Sequence, residues 1–266
     1  NTNDYASWSF RKQKGFFDCV KFSTTSGGGQ QTVSHNLGSI PGTIILKQLT
    51  AGGDGYWYVF HKSVTSPNSD WWRNYANLNI TAAFGDWGST AGIYSAPTSS
   101  GITVSTYFTN QTADFIAYFF AEGGSDDQIF GDDGDENIIK CGTFATAGSG
   151  GRISSPVNCG FEAQWVLVKN VALENWNMYD IMRGMDNTGY TSLYPNLNDE
   201  EYRGSSALSA TATGFDTPNS SGPFTNSATY IYIAIRRGPM KTPEAGTEVF
   251  ASQNPGNPLN SAGEAF

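Results

Sequence analysis

The sequence repeats itself, and this limits the folds open to it more than any other feature. Gly38–Lys47 (GSIPGTIILK) can be laid on Gly160–Lys169 (GFEAQWVLVK), so that each lysine and each first glycine lie 122 positions apart. Trp57 then falls on Trp176 and Tyr75–Asn79 on Tyr194–Asn198, both 119 positions on. Gly101-Ile102 falls on Gly214-Phe215, and Asp114–Ile116 on Thr229–Ile231. Five blocks keep their order while the spacing drifts by a few residues, as one strand frame with variable loops would produce. The last block occurs a third time at Asp4–Lys12 (DYASWSFRK), set against Asp114–Glu122 and Thr229–Arg237.

The repeated blocks have strand character. Tyr56–His61 and Gly101–Phe108 alternate, as half-buried strands do. Thr43–Lys47 and Trp165–Lys169 are short unbroken apolar runs that fit strands covered on both sides. The face carrying Trp57 and Val59, or Trp176 and Met178, is expected to point inward in both units. Seven Trp, 13 Tyr and 17 Phe with 31 Gly, and only 15% charged residues, fit short strands and tight turns better than helical bundles. No stretch sustains a 3.6-residue period; at most a short helix sits near Asp70–Tyr75, with a counterpart near Met185. The expected fold is all-β: two tandem antiparallel β-sandwich, jelly-roll-like repeats in a fragment of a longer chain. Residues 1–12 are read as the terminal strand of a preceding repeat, or a swapped strand that closes a sheet by itself. Residues 13–124 form the first sandwich and 137–238 the second. An acidic, glycine-rich linker spans 125–136, read as a solvated loop that keeps the units apart. Residues 239–266 form an extended tail leading into a further domain.

The net charge of −9 argues against nucleic acid or an anionic membrane as partner. The longest apolar run, Phe115–Ala121, is far short of the roughly 20 residues a bilayer needs, so membrane insertion is not expected. Catalytic constellations are scarce. The only histidines are His35, at a strand end, and His61, closing a strand, and both read as structural imidazoles. No nucleophile elbow, phosphate loop, H-E-x-x-H or paired C-x-x-C is present, so neither an enzyme nor a cofactor is expected. Cys19, Cys141 and Cys159 are odd in number, which leaves a Cys141–Cys159 bond or packed thiols. Asp132, Asp133 and Asp135 in the linker are weak calcium candidates, because the later ligands of an EF-hand loop are missing. Trp71, Trp72 and Trp87 stand among polar, turn-like residues and are the candidates for stacking on a glycan. Asn79, Asn110 and Asn219 open formal glycosylation sequons.

Three runs carry a family resemblance: Tyr5–Lys12, Gly15–Val20 and Thr32–Gly42, the last holding Ser34-His35-Asn36-Leu37-Gly38. Together with Thr229–Arg237 and the exit Met240–Ala251, they resemble a repeat found in long virion proteins of marine tailed phages, especially cyanophages. The resemblance covers nearly the whole chain. It implies a non-enzymatic virion structural protein, a tail-fibre or other appendage component located on the phage particle. Capsid decoration and a lectin-like carbohydrate-binding module are the alternatives. The partners implied are further copies of the chain, a trimer being favoured, other virion proteins and a host surface glycan. The second unit has Ser155–Gly160 where the first has the Ser-His-Asn-Leu-Gly block, which weakens the idea of one shared ligand site.

Overall fold

The computed structural model describes residues 8–238 apart from 28, 52, 89–90, 132, 186–188, 205–207 and 219–220. Most of the strand expected over 1–12 and the whole tail 239–266 lie outside the described residues, and residues 8–12 form no strand. In the first half the strands are β1 (Phe17–Thr24), β2 (Gln31–Ser34), β3 (Pro41–Gln48), β4 (Trp57–His61), β5 (Asn74–Asn77), β6 (Gly85–Asp86), β7 (Gly101–Val104) and β8 (Ala113–Ala121). In the second they are β9 (Ile139–Ala145), β10 (Val157–Asn158), β11 (Ala163–Asn170), β12 (Trp176–Asp180), β13 (Tyr190–Ser192), β14 (Tyr202–Gly204), β15 (Ser209–Thr211), β16 (Gly214–Asp216) and β17 (Thr229–Arg236). Among the described residues helix is confined to α1 (Thr106–Thr109) and two 3-10 turns, Trp71–Arg73 and Ser125–Asp127. The fold is all-β and antiparallel, as the residue pattern predicts, and no helix among the described residues is long and apolar enough to cross a membrane.

Both halves are wired alike. The first large sheet runs β1-β8-β3-β4-β5-β6. The second runs β9-β17-β11-β12 and continues through a Met178–Leu193 bridge into β13-β14. Small sheets face them: β2-β7 in the first half and β10-β16-β15 in the second. Ile45 lies opposite Tyr118, and Leu167, 122 positions after Ile45, lies opposite Ile233. A register shift interrupts β3 between Pro41 and Thr43, and β11 between Ala163 and Trp165, at the same place in each half. One sequence match needs correcting. The Asn79 side-chain oxygen accepts from the Trp57 amide (3.1 Å), and that of Asn196, not Asn198, accepts from the Trp176 amide (2.9 Å). A slip of two residues keeps every side chain on its face, so alternation alone does not detect it.

The second large sheet is buried on both faces over most of its width, the first only in part. On β11, Val166 and Val168 pack within the second half's own core. Trp165 and Leu167, with Trp176, Ile231 and Ile233, instead join the core of the first half. The face expected to point inward therefore points at the other half, and unequally: Trp176 is 1% exposed, whereas Trp57 is half-buried. At the junction the Trp176 indole N–H donates to the Asn77 carbonyl (2.8 Å), and His61 Nε2 lies 3.1 Å from the Tyr232 carbonyl. His61 Nδ1 accepts from the Ser63 amide (3.2 Å), which leaves the ring proton on Nε2 to donate to Tyr232. Gly42 allows close approach, because a Cβ there would lie 2.6 Å from Glu122 Cα and 2.8 Å from Cys141 Cβ.

The acidic connector does not hold the halves apart. Asp127 is 2% exposed, and its carboxylate accepts from the Gly123 amide (2.8 Å), the Gly124 amide (3.3 Å) and the Ser39 hydroxyl. Glu122 pairs with Lys62, and Glu136 with Arg236. Of the linker's acids Asp127 and Glu136 are thus held by backbone amides and a cation, while Asp126, Asp133 and Asp135 are exposed, as a solvated loop requires.

Candidate functional site

Two recesses open on the first half. One, of about 240 Å³, lies where the turn before β4 meets α1 and the start of β8, and its walls include Gln48, Asp54, Tyr58, Tyr107, Phe108 and Gln111. The Asp54 carboxylate accepts from the Tyr58 hydroxyl and from the Tyr107 hydroxyl (3.2 Å), and the two phenolic oxygens are 3.1 Å apart. Burial first, then the hydrogen bonds to Asp54 and Tyr107, push the Tyr58 phenol far above its ordinary range, so it stays a donor. Gln111 donates to the Gln48 side-chain oxygen (3.2 Å), and Gly53 leaves room for that amide, since a Cβ there would come within 2.5 Å of it. Behind the tyrosines Trp87 stacks on Tyr75 (centroids 4.3 Å, 23°) and lies 4.6 Å from Tyr58 and 5.0 Å from Tyr107. Tyr107 is 41% exposed. Ring faces beside a carboxylate and two amides suit a ligand with an apolar C–H face and a rim of hydroxyls.

The other recess, of about 350 Å³, is lined by hydroxyl and amide groups, among them Ser34, Asn36, Thr98, Ser100 and Thr103, around His35. His35 is 5% exposed and packs 4.5 Å from the Phe119 ring. Burial lowers its pKa, while the Asp18 carboxylate and a backbone contact at Thr98 act in the opposite sense. His61, fully buried at the junction, is lowered to about 4 by burial, against the opposing hydrogen bond to Tyr232.

The three candidate tryptophans do not form one site. Trp71 is buried in the core and meets Trp72 edge-on (6.2 Å, 83°) on a 3-10 turn. Only Trp87 joins the cluster behind the aromatic recess. Asp54, Tyr58 and Tyr107 escaped the sequence reading; an aspartate among glycines just before an aromatic strand was the available signal. Of the calcium candidates, Asp132 lies outside the described residues, and Asp133 and Asp135 are exposed. Among the described residues no group of three or more His, Cys, Asp or Glu could hold a metal ion. All three cysteines are free, so no Cys141–Cys159 bond forms. Burial pushes Cys141 and Cys159 each up to about 12, poor thiols for nucleophilic work. Of the sequon asparagines, Asn79 is tied to Trp57, Asn110 is exposed and Asn219 lies outside the described residues.

Residues 5–239 match the family described as Domain of unknown function (DUF7483). The chain belongs to the DUF7483 family. No functionally curated protein matches it. Two solved structures overlap this DUF7483 chain at a TM-score of 0.21 and 10% identity: the STIV MCP, over 83% of this chain and 95% of that one, and a chain of Sulfolobus Turreted Icosahedral Virus, over 83% and 89%. Overlap at that level supports neither a shared fold nor a shared role. Within the DUF7483 domain the second half has no histidine at the place of His35. Cys159 takes the equivalent place, its amide donating to Thr213 (2.7 Å) as the His35 amide donates to Ser100 (2.9 Å). The following loop then reaches its glycine, Gly160 against Gly38, both at φ +82°, two residues sooner.

Proposed function

We propose that the chain is a non-catalytic structural module of a phage virion, a component of a tail fibre or similar appendage that assembles symmetrically, most simply as a trimer. The observation that carries this reading is the resemblance of the Ser34–Gly38 block and the Thr229–Arg237 strand to phage virion repeats. The chemistry supports it: His61 is hydrogen-bonded inside the junction, and burial holds the Cys141 and Cys159 thiols protonated. Mass measurement on the recombinant chain tests it, and a chain that stays monomeric at assembly concentrations counts against it. Antibody labelling of intact particles separates a distal fibre from capsid decoration.

A second reading, a lectin-like module that contacts a host surface glycan, is favoured by the aromatic recess. Asp54, Gln48 and Gln111 supply hydrogen-bonding groups and Tyr107 an exposed ring. A glycan array reads this. Binding that survives Trp71→Ala and Trp72→Ala but is lost in Tyr107→Ala assigns the recess; an array without signal ends the reading.

A further inference from the structure

The outer faces of the two large sheets can be compared rung by rung. Across β4, β3, β8 and β1 stand Trp57, Lys47, Ile116 and Lys21; across β12, β11, β17 and β9 stand Trp176, Lys169, Ile231 and Thr143. In the second half three of the four are closed to water, Trp176 at 1%, Lys169 at 0% and Ile231 at 2% exposed, and only Thr143, on the outer strand, is exposed as its counterpart Lys21 is. The first half provides the cover through β5 and the turn 78–84, where the Asn77 carbonyl receives the Trp176 indole and the Phe84 amide donates to the Val171 carbonyl (3.0 Å). In the first half the equivalent Trp57, Lys47 and Ile116 are only half-buried. So are Tyr118 and Cys19 on the next rung, whose equivalents Ile233 and Cys141 are 3% and 4% exposed. Trp57 stacks on Tyr118 (6.2 Å, 16°), with the Lys47 ammonium 5.7 Å from its ring centre.

We propose that this face of the first half binds a second copy of the chain head to tail, reproducing the way the first half covers the second. The element of that copy that does so is its turn 195–201. This turn is the counterpart of 78–84, because β13 and β14 pair in the register of β5 and β6. It presents Asp199, Glu200 and Glu201 to solvent, with Leu197 38% and the adjoining Tyr202 49% exposed. The face it meets carries Lys47 and Lys21, with Lys12 beside Cys19. Because Lys21 pairs with Asp114, Lys12 with Asp18 and Glu201 of the turn with Arg183, the charge complementarity rests on Lys47 against Asp199 and Glu200. Such a contact is heterologous: it closes into a ring or runs on as a filament. It rests on the assembly reading above and adds to it the surfaces that meet.

Sedimentation velocity of the full chain over a range of concentrations tests this, using Ile116→Glu on the face and Glu200→Lys with Glu201→Lys on the exposed turn. Lys21→Glu with Lys47→Glu replaces the first variant if its melting curve shows it unfolded. The wild type is expected to associate, and each variant alone to need at least about tenfold more protein to do so. Mixed, the two variants form a heterodimer, because each keeps the surface the other has lost. Association that neither variant alters overturns the face and leaves the assembly reading standing. Two variants that fail alone and also fail together overturn head-to-tail contact. A wild type that is monomeric throughout overturns both.

Discussion

His61 makes stability at the junction depend on pH in a way that can be calculated. Its pKa is lowered from an ordinary 6.5 to about 4 by complete burial. Between those values the unfolded chain holds a proton that the folded chain refuses, so stability is full above pH 6.5 and falls as the solution is acidified, levelling off below about 4. At about 1.36 kcal/mol per pH unit the whole interval is worth about 3 kcal/mol, of which about 2 kcal/mol is already lost at pH 5. His61→Gln keeps an N–H donor for Tyr232 but does not titrate. Urea unfolding of both proteins at pH 7.5 and pH 5 isolates the effect, because every other titrating group, His35 included, is common to the pair. The wild type should lose about 2 kcal/mol more than the variant between the two conditions. Parallel losses would falsify the claim that a neutral imidazole is sealed between the sheets.

Other expectations follow from contacts already described. Asp127→Ala strands two backbone amides and a hydroxyl, and should cost about 1–3 kcal/mol in chemical denaturation, with faster hydrogen exchange at Gly123 and Gly124. Trp176→Ala opens a cavity under the first half and should cost about 3–5 kcal/mol, whereas Trp57→Ala at the equivalent place costs clearly less in a dilute monomer. Equal costs would contradict the unequal cover of the two faces. Gly42→Ala drives a methyl group against Glu122 and Cys141, and should lower stability by about 1–3 kcal/mol, read as a drop in melting temperature.

The strands that matter most were legible because burial writes itself into local sequence. β3 and β11 read as covered on both sides, since an unbroken run such as Ile44-Ile45-Leu46 leaves no polar face for water. The connector was misread for the converse reason. Composition cannot see that Asp127 finds three donors, one of them 88 residues away on Ser39. α1 is four residues long and leaves no periodic trace. Which rings Trp87 meets was not legible, because its neighbours Tyr58 and Tyr107 come from distant parts of the chain. Local polarity locates a loop but does not say which ring a tryptophan will find.

The membership of Trp165, Leu167, Trp176, Ile231 and Ile233 in the first half's core has a consequence for anyone who would cut this chain in two. At about 1.5–3 kcal/mol for each large side chain, severing the halves forfeits on the order of 10 kcal/mol, comparable with the entire net stability of an ordinary domain. An excised carboxy-terminal half should therefore aggregate or stay unfolded, and the intact chain should melt in a single cooperative step despite its duplicated plan.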